Sequence, residues 1–225
     1  MQKRHIVAMG GYTLGTALED YVLGLARGRR VLCVPTAGGE DPWWIVKVFE
    51  SLSGRADVSL LLFHPWPPEN LREYVLGHDL VLVPGGNTAN MLAIWRAHGL
   101  DKILREAWED GIVLCGWSAG MICWFEAGVT DSFGPELAGM RDGLGFLAGS
   151  ACPHYDGEEL RRPRYHELVA GGFPGGVAAD DHVGLHYVGT ELAEVVSARE
   201  GASAYGVDRA CGEVRETALD ARVLE

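Results

Sequence analysis

No apolar run in the sequence is long enough to cross a bilayer or to form the core of a secretion signal. Met1-Gln-Lys-Arg-His5 is followed only by Ile6-Val-Ala-Met9 before Gly10-Gly11. This predicts a cytoplasmic protein with no membrane partner. Basic residues are scarce as well: 19 Lys and Arg stand against 31 Asp and Glu, for a net charge of -12. A general phosphate-backbone binder needs a basic face, so nucleic acid is excluded as a partner class. The five cysteines, at 33, 115, 123, 152 and 211, are odd in number and contain no CxxC spacing. Reduced, mostly buried thiols are expected, rather than disulfides or a zinc site. There is also no linker-like tract, internal repeat or low-complexity segment. With 48% hydrophobic and 22% charged residues, the 225-residue chain has the material for a large core. One domain over residues 1–225 is expected.

What is present is alternation. Short apolar runs at His5 to Met9, Arg30 to Val34, Val58 to Phe63, Leu80 to Val83 and Ile112 to Cys115 read as strands. Segments of helical period lie between them, at Leu14 to Ala26, Pro42 to Leu52, Glu69 to Leu76 and Thr88 to Asp110. That order predicts an α/β fold with a parallel sheet covered on both faces. After Glu126 the pattern loosens. A helix is expected from Arg162 to Val169, with short, mixed edge strands at 177–179, 184–188, 193–196, 205–207 and 214–217. Trp43 and Trp44, on an amphipathic helix, are assigned to the core.

Ligands bind at the carboxyl ends of the strands in such a sheet. Those ends carry Gly10-Gly11, Pro35-Thr-Ala-Gly-Gly39, Pro84-Gly-Gly-Asn87 and Gly116-Trp-Ser118. Gly116-Trp-Ser-Ala-Gly120 between a strand and a helical run has the context of a nucleophile elbow. Ser118 would project above the sheet, and the Ala119 N–H and the helix start would face a developing oxyanion. A plain helix N-cap serine would look the same locally. Gly86 offers a second unshielded N–H, and Asn87 a cap for the next helix. Among eight histidines, His154 in the Pro-fixed loop Cys152-Pro-His-Tyr-Asp156 is the preferred base, with His64, His166, His182 and His186 as competitors. Asp131 and Asp181 both qualify to orient it, and chain order leaves the choice open.

Taken in order, Gly85-Gly-Asn87, Gly116-Trp-Ser-Ala-Gly120, Val129-Thr-Asp-Ser132 and Pro153-His-Tyr-Asp156 resemble the peptidase E (aspartyl dipeptidase) and cyanophycinase family of serine peptidases. The resemblance runs from about residue 5 to residue 210. It implies a three-layer α/β/α fold with a mostly parallel central sheet, similar to class I glutamine amidotransferases. It also implies Ser118 as nucleophile, His154 as base, and the N–H groups of Gly86 and Ala119 as the oxyanion hole. The family's third residue is usually a glutamate, and the matching segment here is Ala179-Asp-Asp-His182, so Asp181 takes that place with one methylene less. Asp131 and Asn87 are supporting residues, and the family's substrate-carboxylate arginine falls at Arg161. The implied activity is cofactor-free and metal-free hydrolysis of short peptides or peptide-like amides, with an aspartyl residue before the scissile bond. A homo-oligomer is compatible with it. The rival readings are an α/β-hydrolase-type esterase oriented by Asp131, a cysteine amidotransferase, and a silent domain that binds without turnover.

Overall fold

The computed structural model of the protein describes residues 3–11 and 13–225; Met1 and Gln2, on which the amino-terminal reading begins, and Tyr12 lie outside the described residues. The first half alternates as the periodicity predicts: β1 (His5–Met9), α1 (Ala17–Leu25), β2 (Arg30–Cys33), α2 (Pro42–Leu52), β3 (Asp57–Leu60), α3 (Leu71–Leu76) and β4 (Leu80–Val83). The long helical segment expected after β4 is two helices, α4 (Thr88–His98) and α5 (Leu100–Glu109). Gly99 separates them, with φ +74°, a left-handed turn that glycine adopts without a Cβ clash. β5 (Val113–Trp117) then leads into α6 (Ala119–Ile122), a single turn.

The region that looked loose forms a second sheet and adds three strands to the first. β6 (Phe125–Thr130), β7 (Ala138–Met140), β8 (Leu147–Cys152), α7 (Arg161–Ala170), β9 (Gly176–Ala179), β10 (Val183–Val188), β11 (Glu191–Ser197), β12 (Ala204–Ala210), β13 (Glu213–Leu219) and β14 (Ala221–Val223) complete the order. The larger sheet runs β14-β11-β10-β1-β5-β4-β2-β3. In it β10 alone runs against the common strand direction. The smaller sheet runs β13-β12-β9-β8-β6-β7.

Strand alternation sorts side chains onto the two faces of the larger sheet. Val7, Met9, Val31 and Cys33 pack with Leu18 and Val22 of α1 and Val48 and Leu52 of α2. Ile6, Ala8, Leu32 and Val83 face the other way, onto Met91 and Trp95 of α4 and Leu104 and Trp108 of α5. The result is a three-layer α/β/α fold. Each such fully buried leucine or methionine contributes on the order of 2 kcal/mol. Trp43 and Trp44 are not in this core: they are 58% and 44% exposed. α2 buries only the Val48 and Leu52 stripe, so its first turn faces outward. Four of the five cysteines are buried free thiols and Cys211 is exposed. Among the described residues, no helix is long and apolar enough to cross a membrane.

The outer hairpin of the smaller sheet is tied to α7 through Glu216. Its carboxylate accepts from Tyr155 Oη at 2.6 Å and lies 2.8 Å from His166 Nε2, and Arg162 completes an ion pair with it. Burial disfavours the charged form, but the bonds from Tyr155, His166 and Arg162 outweigh it and hold the pKa below the ordinary glutamate value. A carboxylate with a depressed folded-state pKa stabilises the fold above its unfolded-state pKa, and that contribution is lost as pH falls through the folded-state value. Glu216→Gln is therefore expected to melt lower than the parent at pH 7. The gap should narrow below about pH 4. Thermal melts of the two proteins across that range test it, and a gap independent of pH would refute the assignment.

Candidate active site

Four neighbouring strands of the larger sheet, β1, β5, β4 and β2, are parallel and end on one rim. Because β10 is antiparallel to β1, with Met9 opposite Gly184, its amino end starts on the same rim. The Asp180-Asp-His182 segment is therefore carried there from β9. β8 and β9 are parallel, with Cys152 opposite Ala178, so Pro153-His154 emerges beside that segment. The larger sheet thus supplies Ser118 and the Gly85-Gly86 turn, and the smaller sheet supplies His154.

Ser118 sits between β5 and α6 at φ +57° and ψ -110°. A non-glycine residue held in such a sparsely populated conformation costs about 1–3 kcal/mol and needs neighbours that enforce it. Those neighbours are visible: Ser118 N–H donates to the Met9 carbonyl at 3.2 Å, and its own carbonyl accepts from Met121 and Ile122. The flanking glycines of the motif are demanded by β4. A Cβ at Gly116 would stand 2.3 Å from the Val83 carbonyl oxygen, and one at Gly120 2.0 Å from it. Gly86 meets the same constraint from another side: at φ +137°, a Cβ would stand 2.1 Å from the Ala37 carbonyl oxygen. The Ala119 N–H belongs to the first residue of α6 and has no intrahelical acceptor. Since α6 is one turn long, the helix dipole expected from the sequence is small, and any anion stabilisation there rests on individual N–H groups.

His154 Nδ1 is 2.7 Å from Asp181 Oδ1, and both side chains are largely buried. A neutral imidazole that donates through Nδ1 carries its lone pair on Nε2, where it can accept a hydroxyl proton. Two glycines press on this pair. A Cβ at Gly11 would stand 2.3 Å from both Asp181 Oδ1 and His154 Cε1, and one at Gly157 would stand 1.9 Å from Asp181 Oδ2. The Asp181 backbone is held too: its N–H donates to Asp156 Oδ1 at 2.8 Å. Burial raises the Asp156 pKa, but Arg199 and that backbone N–H more than offset it, so the carboxyl stays below its ordinary value. His154 and His182 share left-handed φ values with Ser118, so three of the five described non-glycine residues of that kind border the site.

Ser118 and His154 line one cleft of about 400 Å3, with Gly85, Gly86, Trp44 and Trp117 in its walls. Such a volume suits a small-molecule ligand or short peptide. Asp131 is exposed, on a loop that Ser132 anchors to α4. Asp181, not Asp131, is the carboxylate on His154. Asn87 caps α4, accepting from the Asn90 N–H at 2.9 Å, and its amide donates to the Ser132 carbonyl. Asn87 is therefore a scaffold residue. The expectation for Arg161 is corrected. It is 3% exposed, its Nε donates to Glu158 and its Nη1 to the Val129 carbonyl, and it is absent from the cleft wall. Glu158, which no motif singled out, lines the cleft instead. Its one available signal was spacing, four residues after His154, where its N–H donates to the His154 carbonyl.

Comparison with known proteins agrees with this architecture. The pattern of peptidase family S51 matches residues 8–195. Over 231 aligned positions the chain is 43% identical to the "uncharacterized peptidase YgaJ" of Bacillus subtilis strain 168, covering 98% of this chain and 99% of that one. Two solved structures share the fold. A peptidase from an acI-B1 Actinobacterium superposes with a TM-score of 0.73 at 18% identity, covering 97% of this chain and 95% of that one. A putative peptidase E from Listeria monocytogenes EGD-e gives 0.64 at 20% identity, covering 88% and 98%. On the family match and the Bacillus relative, the chain belongs to peptidase family S51.

Proposed function

We propose that this peptidase hydrolyses short peptides through an acyl-enzyme on Ser118. The observation that carries the reading is the 2.7 Å contact of His154 Nδ1 with Asp181, on a histidine that shares its cleft with a strained serine. In the mechanism, His154 Nε2 takes the Ser118 hydroxyl proton as Oγ bonds to the scissile carbonyl carbon. The carbonyl oxygen becomes an anion facing the N–H groups of Gly86 and Ala119. Losing one such donor costs on the order of 100-fold or more in turnover. His154 then gives its proton to the leaving nitrogen as the C–N bond breaks. Water, deprotonated by His154 Nε2, then adds to the acyl carbon, and His154 returns the proton to Ser118 Oγ as the ester C–O bond breaks. Asp181 holds the ring in the productive tautomer and stabilises the imidazolium. An aspartyl preference finds no cationic wall residue to support it among the described residues of the cleft.

A fluorophosphonate probe tests the serine mechanism. Mass mapping of the treated protein should find the adduct on Ser118, and labelling should slow sharply in His154→Ala. An unmodified Ser118 under conditions that label a control serine hydrolase would remove the mechanism and favour a silent domain.

A further inference from the structure

The described residues of the cleft wall include no lysine or arginine, and Glu158 is the carboxylate among them. Its side chain is about half exposed, and only one of its oxygens is engaged: Oε2 accepts from Arg161 Nε at 2.7 Å. Arg161 is buried and held from the other side by the Val129 carbonyl at 2.8 Å, so it acts as a fixed post for the carboxylate. Oε1 has no hydrogen-bond partner among the described residues. A half-exposed carboxylate with one unengaged oxygen describes a wall that accepts a hydrogen bond from a cationic nitrogen.

Building on the serine mechanism above, we propose that Glu158, oriented by Arg161, selects substrates that bring a cationic nitrogen to the cleft, the free α-ammonium of a short peptide or the side chain of a basic residue before the scissile bond. Glu158 lies one turn beyond His154 on the same loop, so the group it holds lies close to the reacting carbonyl. The charge logic is the reverse of an aspartyl preference. An acidic substrate would bring its carboxylate against the outward Glu158 oxygen, while the Arg161 guanidinium is buried behind Glu158 and out of its reach.

The test is kcat/KM for Lys-Ala, Arg-Ala, Ala-Ala and Asp-Ala dipeptides and their N-acetylated forms, in the parent and in Glu158→Gln. In the parent, loss of the cation should cost about tenfold, the worth of one charge-assisted hydrogen bond, and 0.5 M salt should shrink the difference. If the α-ammonium is read, acetylation costs that factor throughout the panel. If the side chain is read, the Lys and Arg advantage survives acetylation. Either pattern supports the proposal when Glu158→Gln flattens it. A parent that prefers Asp-Ala, or that ignores charge, overturns the proposal without any variant having to fold. So does a Glu158→Gln protein that melts lower yet keeps the parent's charge ratios, because a counter-ion for Arg161 alone would behave in that way. Fluorophosphonate labelling separates the layers: Ser118 labelled with a flat panel sinks the charge selection alone, and Ser118 unlabelled sinks the mechanism with it.

Discussion

Ser118→Ala is expected to stay folded and to lose peptide hydrolysis by about 10⁵-fold or more, down to whatever binding and the oxyanion donors supply without a nucleophile. The fold should tolerate the change because the Ser118 side chain makes no capping bond to α6, and the backbone bonds that hold the turn involve its N–H and carbonyl. Alanine keeps the Cβ, so the strain at φ +57° remains and the melting temperature should move little. Glycine adopts that conformation without the penalty, and Ser118→Gly should therefore melt above Ser118→Ala. Hydrolysis assays and thermal melts on the three proteins check both halves. Near-parental turnover by the alanine protein, with contaminating hydrolases excluded, would remove Ser118 from the mechanism. Equal stability of the alanine and glycine proteins would remove the strain.

The turn at Ser118 was readable from sequence because its signature is local, although the contacts that enforce it, from Met9 and Val83, are not. A strand, two glycines two residues either side of the serine, and an apolar run after it all fall within a dozen residues. The five-strand half of the larger sheet was readable for a similar reason, since its strands lie in short, mostly apolar runs separated by segments of helical period. In the smaller sheet β9, β12 and β13 fall where short strands are expected, but β6, β7 and β8 were not readable. β8 reads Leu-Ala-Gly-Ser-Ala-Cys and β7 only Ala-Gly-Met, compositions that favour no strand until neighbours pair with them. Arg161 was misplaced by the same limit. Its side chain faces Val129, 32 residues away, and nothing nearby in sequence marks an arginine as buried. Trp43 and Trp44 failed in the opposite sense, because aromatic content promised burial that α2, with its narrow packed stripe, does not provide.

Asp181→Asn should lower turnover by about 10⁴-fold, whereas Asp131→Asn should change it by no more than a few-fold. An asparagine at 181 that presents its amide nitrogen to Nδ1 favours the tautomer with the proton on Nε2, which leaves no lone pair facing the serine. It also removes the charge that stabilises the imidazolium. Asp131 is exposed and its carboxylate makes no hydrogen bond among the described residues, so its loss reaches the site only through the loop. His154→Ala should fall as far as Ser118→Ala, since members of one catalytic unit do not add. Restoring the charge on a longer arm should not rescue the site. Asp181 is packed between Gly11 and Gly157 so closely that neither position has room for a Cβ, and an added methylene in Asp181→Glu would have to displace backbone. Parallel rate measurements on these variants, each checked for folding by its thermal melt, decide the ranking. If Asp131→Asn proved the more damaging of the two aspartate changes, the Asp181 contact would be structural, and the esterase-like order of Ser118, Asp131 and His154 would take its place.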